Sequence, residues 1–219
     1  MATAEPRLPL QPGELASDFT LPRVDREGTV SLTDYRGRSP LLLALFRGVY
    51  CPFCRRSIAQ LGLTREKLQA LGVETLGIVA TGVENARLYF RFHPTHLPLA
   101  ADPDLTTHEA YGVPKPPVTP ELMQALQSVR VNPTGELPEP VPILEVSDAL
   151  NRLDGYELTE TDRDDMQRKL TQLSGEFLVD RDGIVRWVYI EAAKEGLTGI
   201  GKFPTDEELL AAARALVIH

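Results

Sequence analysis

Cysteine is almost missing from this chain of 219 residues: only Cys51 and Cys54 are present, three positions apart. That scarcity excludes a disulfide-stapled fold. Any internal disulfide must join these two, across a loop too short to add much stability. Long apolar runs are missing too. The longest, Leu41–Phe46, falls far short of the ~20 residues that a membrane span requires. Residues 1–12 hold Pro6, Pro9 and Pro12 but no apolar core of signal-peptide length, so secretion is not expected. With so little cysteine, the expected location is a reducing cytoplasm. Positive charge is in short supply: 23 Lys and Arg face 31 Asp and Glu, a net charge of −8, which argues against nucleic acid as a partner. The four histidines, His93, His96, His108 and His219, show no zinc-ligand spacing with the cysteines, and neither metal nor cofactor is expected. No internal repeat occurs. What is present, 42% hydrophobic and 25% charged residues, suits one globular domain with room for an insertion.

The two cysteines stand in Val49-Tyr50-Cys51-Pro52-Phe53-Cys54-Arg55-Arg56, directly after the apolar run. A continuous apolar run bounded by turn residues reads as a central strand buried on both faces. Ile58, Leu61, Leu68 and Leu71 then recur at near-helical spacing over 52–71, with Gly62 as the expected kink or break. A strand delivering Cys-x-x-Cys to the first turn of a helix suits thiol chemistry, because the helix N-terminus stabilises a thiolate. Val73–Ala80 reads as the next strand, 83–93 as a helix stopped by Pro94, Leu97–Ala100 as a short strand and 104–111 as a short helix ending at Gly112. Strand and helix alternating in this order imply a parallel sheet covered by helices.

Ahead of the apolar run, Asp18–Pro22 and Thr29–Leu32 read as extended segments joined by a turn, with a helical turn at 33–37 closed by Gly37. From 113 to 142 eight prolines bracket one helical segment, Glu121–Ser128, and this length without regular structure implies an inserted subregion. Polar helical text follows over 143–173, which reads as a solvated helical excursion. Residues 176–190 return to strand text as a hairpin around Asp180-Arg181-Asp182-Gly183, a turn rather than a calcium loop. The last helix begins near Thr205, with Glu208 completing a capping box; its apolar face is Leu209, Leu210, Ala213, Leu216 and Val217.

In this order the segments Gly13–Leu21, Val30–Gly37, Leu43–Cys54 and Phe177–Val185 resemble the peroxiredoxin-like (AhpC/TSA, redoxin) family, whose fold is that of thioredoxin. The resemblance covers about 13–112 and 175–217, and is strongest to the branch with Arg-Gly-x-x-Cys-Pro-x-Cys at its centre. It implies an α/β, thioredoxin-like three-layer fold over 1–219, a central mixed sheet with helices on both faces, with 113–174 as a proline-rich helical insertion. Two features of the family are unmatched. Its Pro-x-x-x-Thr-x-x-Cys pattern, whose threonine hydroxyl helps hold the peroxide, falls here on Ala44 and Gly48. Its arginine, or the cis-proline of thioredoxins, ahead of the last hairpin falls on Ser174-Gly175-Glu176.

The expected site residues are Cys51, Cys54, Arg47 and Tyr50. Cys51, near the helix N-cap, is the expected attacking thiolate, and Cys54, one turn in, its resolving partner. Pro52 suits the first helical position. Arg47, Arg55 and Arg56 are all candidates for the cation that acidifies the thiol. Tyr50 either shields the pair, as the matching aromatic does in thioredoxins, or simply packs. Glu176 reads as an exposed strand-end residue, His93 and His96 as surface or capping residues, and Trp187 as core or sheet surface. The function implied is peroxide reduction through a Cys51–Cys54 disulfide, re-reduced by a thioredoxin- or glutathione-type reductant, with a homodimer as the candidate assembly. Disulfide exchange, a redox sensor and a Cys-x-x-Cys metal site shared across a dimer are the competing readings.

Overall fold

The first extended segments fold back on each other, β1 (Thr20–Pro22) pairing antiparallel with β2 (Thr29–Ser31). A single 3-10 turn over Leu32–Asp34 follows, where Asp34 reaches back to accept the Ser31 N–H at 2.8 Å. A computed structural model describes residues 7–217; of the residues read above, Pro6, His219 and the side chain of Val217 lie outside the described residues.

The apolar run forms β3 (Leu41–Phe46), every residue of it buried. Leu41, Leu43 and Leu45 enter one core cluster, while Leu42, Ala44 and Phe46 enter the other, so the strand divides two hydrophobic layers. It leads into α1 (Pro52–Ala70), and then β4 (Glu74–Val79), α2 (Val83–Phe92), β5 (Leu99–Ala101) and α3 (Thr106–Ala110). After residues 113–174 come β8 (Gly175–Val179), β9 (Val185–Ile190) and α7 (Asp206–Val217). The sheet order is β5-β4-β3-β8-β9, with β3 parallel to β4 and antiparallel to β8. This is the expected mixed α/β arrangement. Helices α1, α2 and α7 cover one face; α3, the β1–β2 hairpin and the segment around Leu10–Phe19 cover the other. Thr205 and Glu208 form the capping box of α7, with Glu208 N–H on Thr205 Oγ1 at 3.2 Å and Thr205 N–H on Glu208 Oε2 at 2.8 Å.

Three expectations need correction. α1 runs unbroken through Gly62. A Cβ there would stand 3.0 Å from Thr95 Oγ1 and 3.3 Å from Leu97 N, so the glycine lets the 95–97 loop lie against the helix. The polar helices of 143–173 are not a solvated excursion, and residues 113–174 pack as one segment. They form α4 (Pro120–Ser128), a two-stranded ribbon of β6 (Arg130–Val131) and β7 (Val141–Pro142), α5 (Ile143–Asp154) and α6 (Glu160–Arg168). Leu126, Ile143, Val146 and Leu150 are buried in the same cluster as both cysteines, at roughly 1.5–3 kcal/mol per fully buried side chain. The segment is thereby fastened to the start of α1. Glu176, finally, is 2% exposed, because on the central strand β8 it stands on the sheet face that α1 and α7 cover, near Leu61 and Leu209.

Candidate active site

Cys51 is the N-cap of α1 and Pro52 its first residue, as the spacing predicts. The Cys54 N–H donates to Cys51 Sγ at 3.2 Å, so one of the unpaired amides of the helix start points at the sulfur. The preceding loop is tied down locally, with Cys51 N–H on Gly48 O at 3.3 Å and Val49 N–H on Thr81 Oγ1 at 3.1 Å. Both cysteines are reduced, Cys51 3% exposed and Cys54 fully enclosed.

The three candidate arginines divide the work. Arg47 lies beside the sulfur. Its Nη2 donates to Glu191 Oε1 at 2.9 Å, and its guanidinium sits 5.7 Å from the centre of the Phe53 ring. Glu191, wholly buried, also accepts from Gly201 N–H at 2.6 Å and from Ser174 N–H at 2.9 Å. Arg55 turns away to the loop and the 113–174 segment. It donates to Val49 O at 3.0 Å, Asn151 Oδ1 at 2.7 Å and Asp154 Oδ2 at 2.8 Å, and lies 4.1 Å over the Tyr156 ring. Arg56 grips Glu136 through two bonds of 2.7 and 2.8 Å and Asp154 through two more. Arg55 and Arg56 are therefore a clamp on the covering segment, and Arg47 supplies the charge at the thiol.

Burial works against ionising Cys51, but the Cys54 thiol and N–H and the Arg47 charge outweigh it and bring the thiol down to about 6. Cys54 is pushed well up by burial, by its hydrogen bond to Cys51 and by the charge on that sulfur. The first protons to leave the pair thus come off with an apparent midpoint near 6. Alkylation of the reduced protein by iodoacetamide is expected to rise with pH through that value, with label on Cys51 alone at pH 7 by peptide mapping. A midpoint near the ~8.5 of a free thiol, or equal labelling of Cys54, would contradict this electrostatic account.

Cys51 opens on a cavity of about 180 Å³ between the sheet end and the 113–174 segment. Its walls are mainly apolar, among them Phe53, Leu122, Leu126, Ile143, Leu144 and Met166, and its polar members include Arg47, Tyr50, Lys169, Asp148 and Gln172. Lys169 was not legible in the sequence as a site residue. It is 2% exposed, ion-paired with Asp165 at 3.1 Å and bonded to Ala80 O. Glu191 was missed as well, since 144 positions separate it from Arg47 and no local spacing could pair them. Glu176 is not in this cavity. It lines a second one with Leu61, Phe203 and Leu209, where burial pushes its carboxyl up to about 8, so it is neutral at pH 7. His93 caps the end of α2, its Nδ1 3.1 Å from Tyr89 O and its ring stacked on that tyrosine. Trp187 is half-buried on the sheet beside Tyr189. Asp180 Oδ1 accepts from Asp182 and Ile184 N–H, both at 2.9 Å, as a turn residue does.

Compared with models of known protein families, residues 12–188 match the AhpC/TSA family. Solved structures with a similar fold include the peroxidoxin BcpB of Mycobacterium tuberculosis, at 16% identity and a TM-score of 0.58 over 94% of this chain and 98% of that one. The reduced 2-Cys peroxiredoxin of Plasmodium vivax gives 16% and 0.60, over 96% of this chain and 84% of that one. The mitochondrial 2-Cys peroxiredoxin of Plasmodium falciparum gives 15% and 0.58, over 94% of each. At such identities the likeness establishes the fold. No curated protein matches the sequence.

Proposed function

The chain belongs to the AhpC/TSA family of redox enzymes, and on that premise we propose that it reduces peroxides through Cys51, with Cys54 as the resolving thiol. The Cys51 thiolate attacks the terminal oxygen of a hydroperoxide. The S–O bond forms, the O–O bond breaks, and the alkoxide or hydroxide leaves and takes a proton from water. Cys54 then attacks the sulfenic sulfur, forming the S–S bond and expelling hydroxide, which takes the Cys54 proton. Two electrons have passed from the dithiol to the peroxide, and a thioredoxin- or glutathione-type thiol in the cytoplasm returns them.

The observation that carries this reading is the setting of Cys51 Sγ: capped by the Cys54 N–H, acidified beside Arg47, and facing a mainly apolar cavity of small-molecule size. With Cys51 3% exposed and Cys54 enclosed, the site favours a small substrate over a protein disulfide. We read residues 113–174 as an inserted cap whose inner face completes that cavity. One equivalent of hydrogen peroxide is expected to convert the protein to the Cys51–Cys54 disulfide. Cys54→Ser should stop at a sulfenic acid trapped by dimedone, and Cys51→Ser should not react. Oxidation of the wild type no faster than that of free cysteine at equal thiolate would overturn the proposal.

A further inference from the structure

Two residues that line the Cys51 cavity each carry a buried polar atom with no hydrogen-bond partner among the described residues: Tyr50 Oη and Arg47 Nε. Native interiors rarely leave such donors unpaired, because each loses its bonds to water and gains nothing in return. Their residues are 5% and 9% exposed, and both line the cavity together with Cys51, where the remaining walls are mainly apolar. A ligand with oxygens close to Cys51 would satisfy both.

Gly48 explains why the tyrosine is there. It stands at the position where the family's pattern has threonine, three residues before Cys51, with φ of +141°. A Cβ on it would lie 2.9 Å from Tyr50 Cε1, so the tyrosine ring occupies the space a side chain at 48 would use. The geometry points to Tyr50 as a catalytic residue whose hydroxyl, together with Arg47 Nε–H, binds the peroxide oxygens and the departing oxyanion in place of the absent threonine. Burial first, and the charge on Cys51 next, hold the phenol well above its usual range, so it keeps its proton at neutral pH, where Cys51 is a thiolate. It therefore donates a hydrogen bond to the leaving alkoxide or hydroxide as the O–O bond breaks.

This inference rests on the peroxidase reading, and the test separates the two. Tyr50→Phe removes only the hydroxyl. Second-order rates with hydrogen peroxide and with cumene hydroperoxide are measured by stopped flow, and iodoacetamide alkylation is measured at the same pH. Iodide leaves without help from a donor, so alkylation reports the thiolate alone. With Tyr50→Phe the peroxide rates are expected to fall ~10- to 100-fold at equal thiolate, as the loss of a bond to a charged group implies. Alkylation should be unchanged, and the melting temperature at or above that of the wild type, since an unpaired buried hydroxyl has been removed. Fast peroxide oxidation that is equal in both proteins would overturn the role of Tyr50 and leave the peroxidase reading intact. A wild type whose peroxide rate, scaled to its alkylation rate, matches free cysteine would overturn both.

Discussion

Arg47→Met is expected to lose most of the Cys51 thiolate at neutral pH and about 3–5 kcal/mol of folding stability. Both losses follow from one ion pair. The guanidinium is the positive charge that acidifies Cys51, and it is also the partner of Glu191, a carboxylate with no solvent exposure. Without it the Cys51 pKa should climb from about 6 toward the ordinary ~8.5. The thiolate fraction at pH 7 then drops from about nine-tenths to a few hundredths, and alkylation slows by roughly 30-fold. The stability loss comes from leaving Glu191 charged and buried without its counter-ion, the expensive way to break such a pair.

A second substitution separates the effects. In Arg47→Met with Glu191→Gln no charge is stranded, so denaturant unfolding should show part of the stability restored. Recovery is incomplete because Gln has one acceptor oxygen, while the two Glu191 oxygens serve both Gly201 and Ser174 N–H. The thiol should stay as weakly acidic as in the single variant. A Cys51 pKa still near 6 in Arg47→Met would show that the Cys54 donors suffice and that Arg47 has another purpose.

The uneven division of labour among the arginines shows where sequence reasoning stops. Leu41–Phe46 and the Cys-x-x-Cys motif were readable because strand burial and helix capping are local: six adjacent apolar residues, then a sulfur one position before Pro52. Arg47, Arg55 and Arg56 looked equivalent in the chain. Their partners Glu191, Asp154 and Glu136 lie 80 to 144 positions away, and folding alone decides which cation meets which anion. The covering segment was misread for a related reason. Ile143, Val146 and Leu150 fall on one helical face, yet charged neighbours dominate the composition over 143–173. That apolar stripe was the available signal. Glu176 offered none: a carboxylate in strand text reads as exposed unless the helices over its sheet face are known.

Gly48→Thr restores the family's residue three before the cysteine, and it is expected to damage the protein rather than improve it. At φ of +141° the backbone is in a region that β-branched residues avoid, at a cost of ~1–3 kcal/mol. The new Cβ would also stand 2.8 Å from Thr81 Oγ1 and 2.9 Å from Tyr50 Cε1. Overpacking of this kind adds ~1–3 kcal/mol, and a shift of Thr81 forfeits its bond from Val49 N–H, which helps shape the loop before Cys51. Denaturant unfolding should therefore show a loss of roughly 2–6 kcal/mol, the sum of the strain and packing costs. Peroxide reactivity should fall with it, because Tyr50 is displaced from the cavity. Gly48→Ala isolates the first part: its Cβ meets the same atoms but carries no hydroxyl, so most of the stability loss should already be present. If Gly48→Thr kept wild-type stability and reacted faster with peroxide, the loop would be able to hold a threonine, and Tyr50 would be packing beside the site rather than completing it.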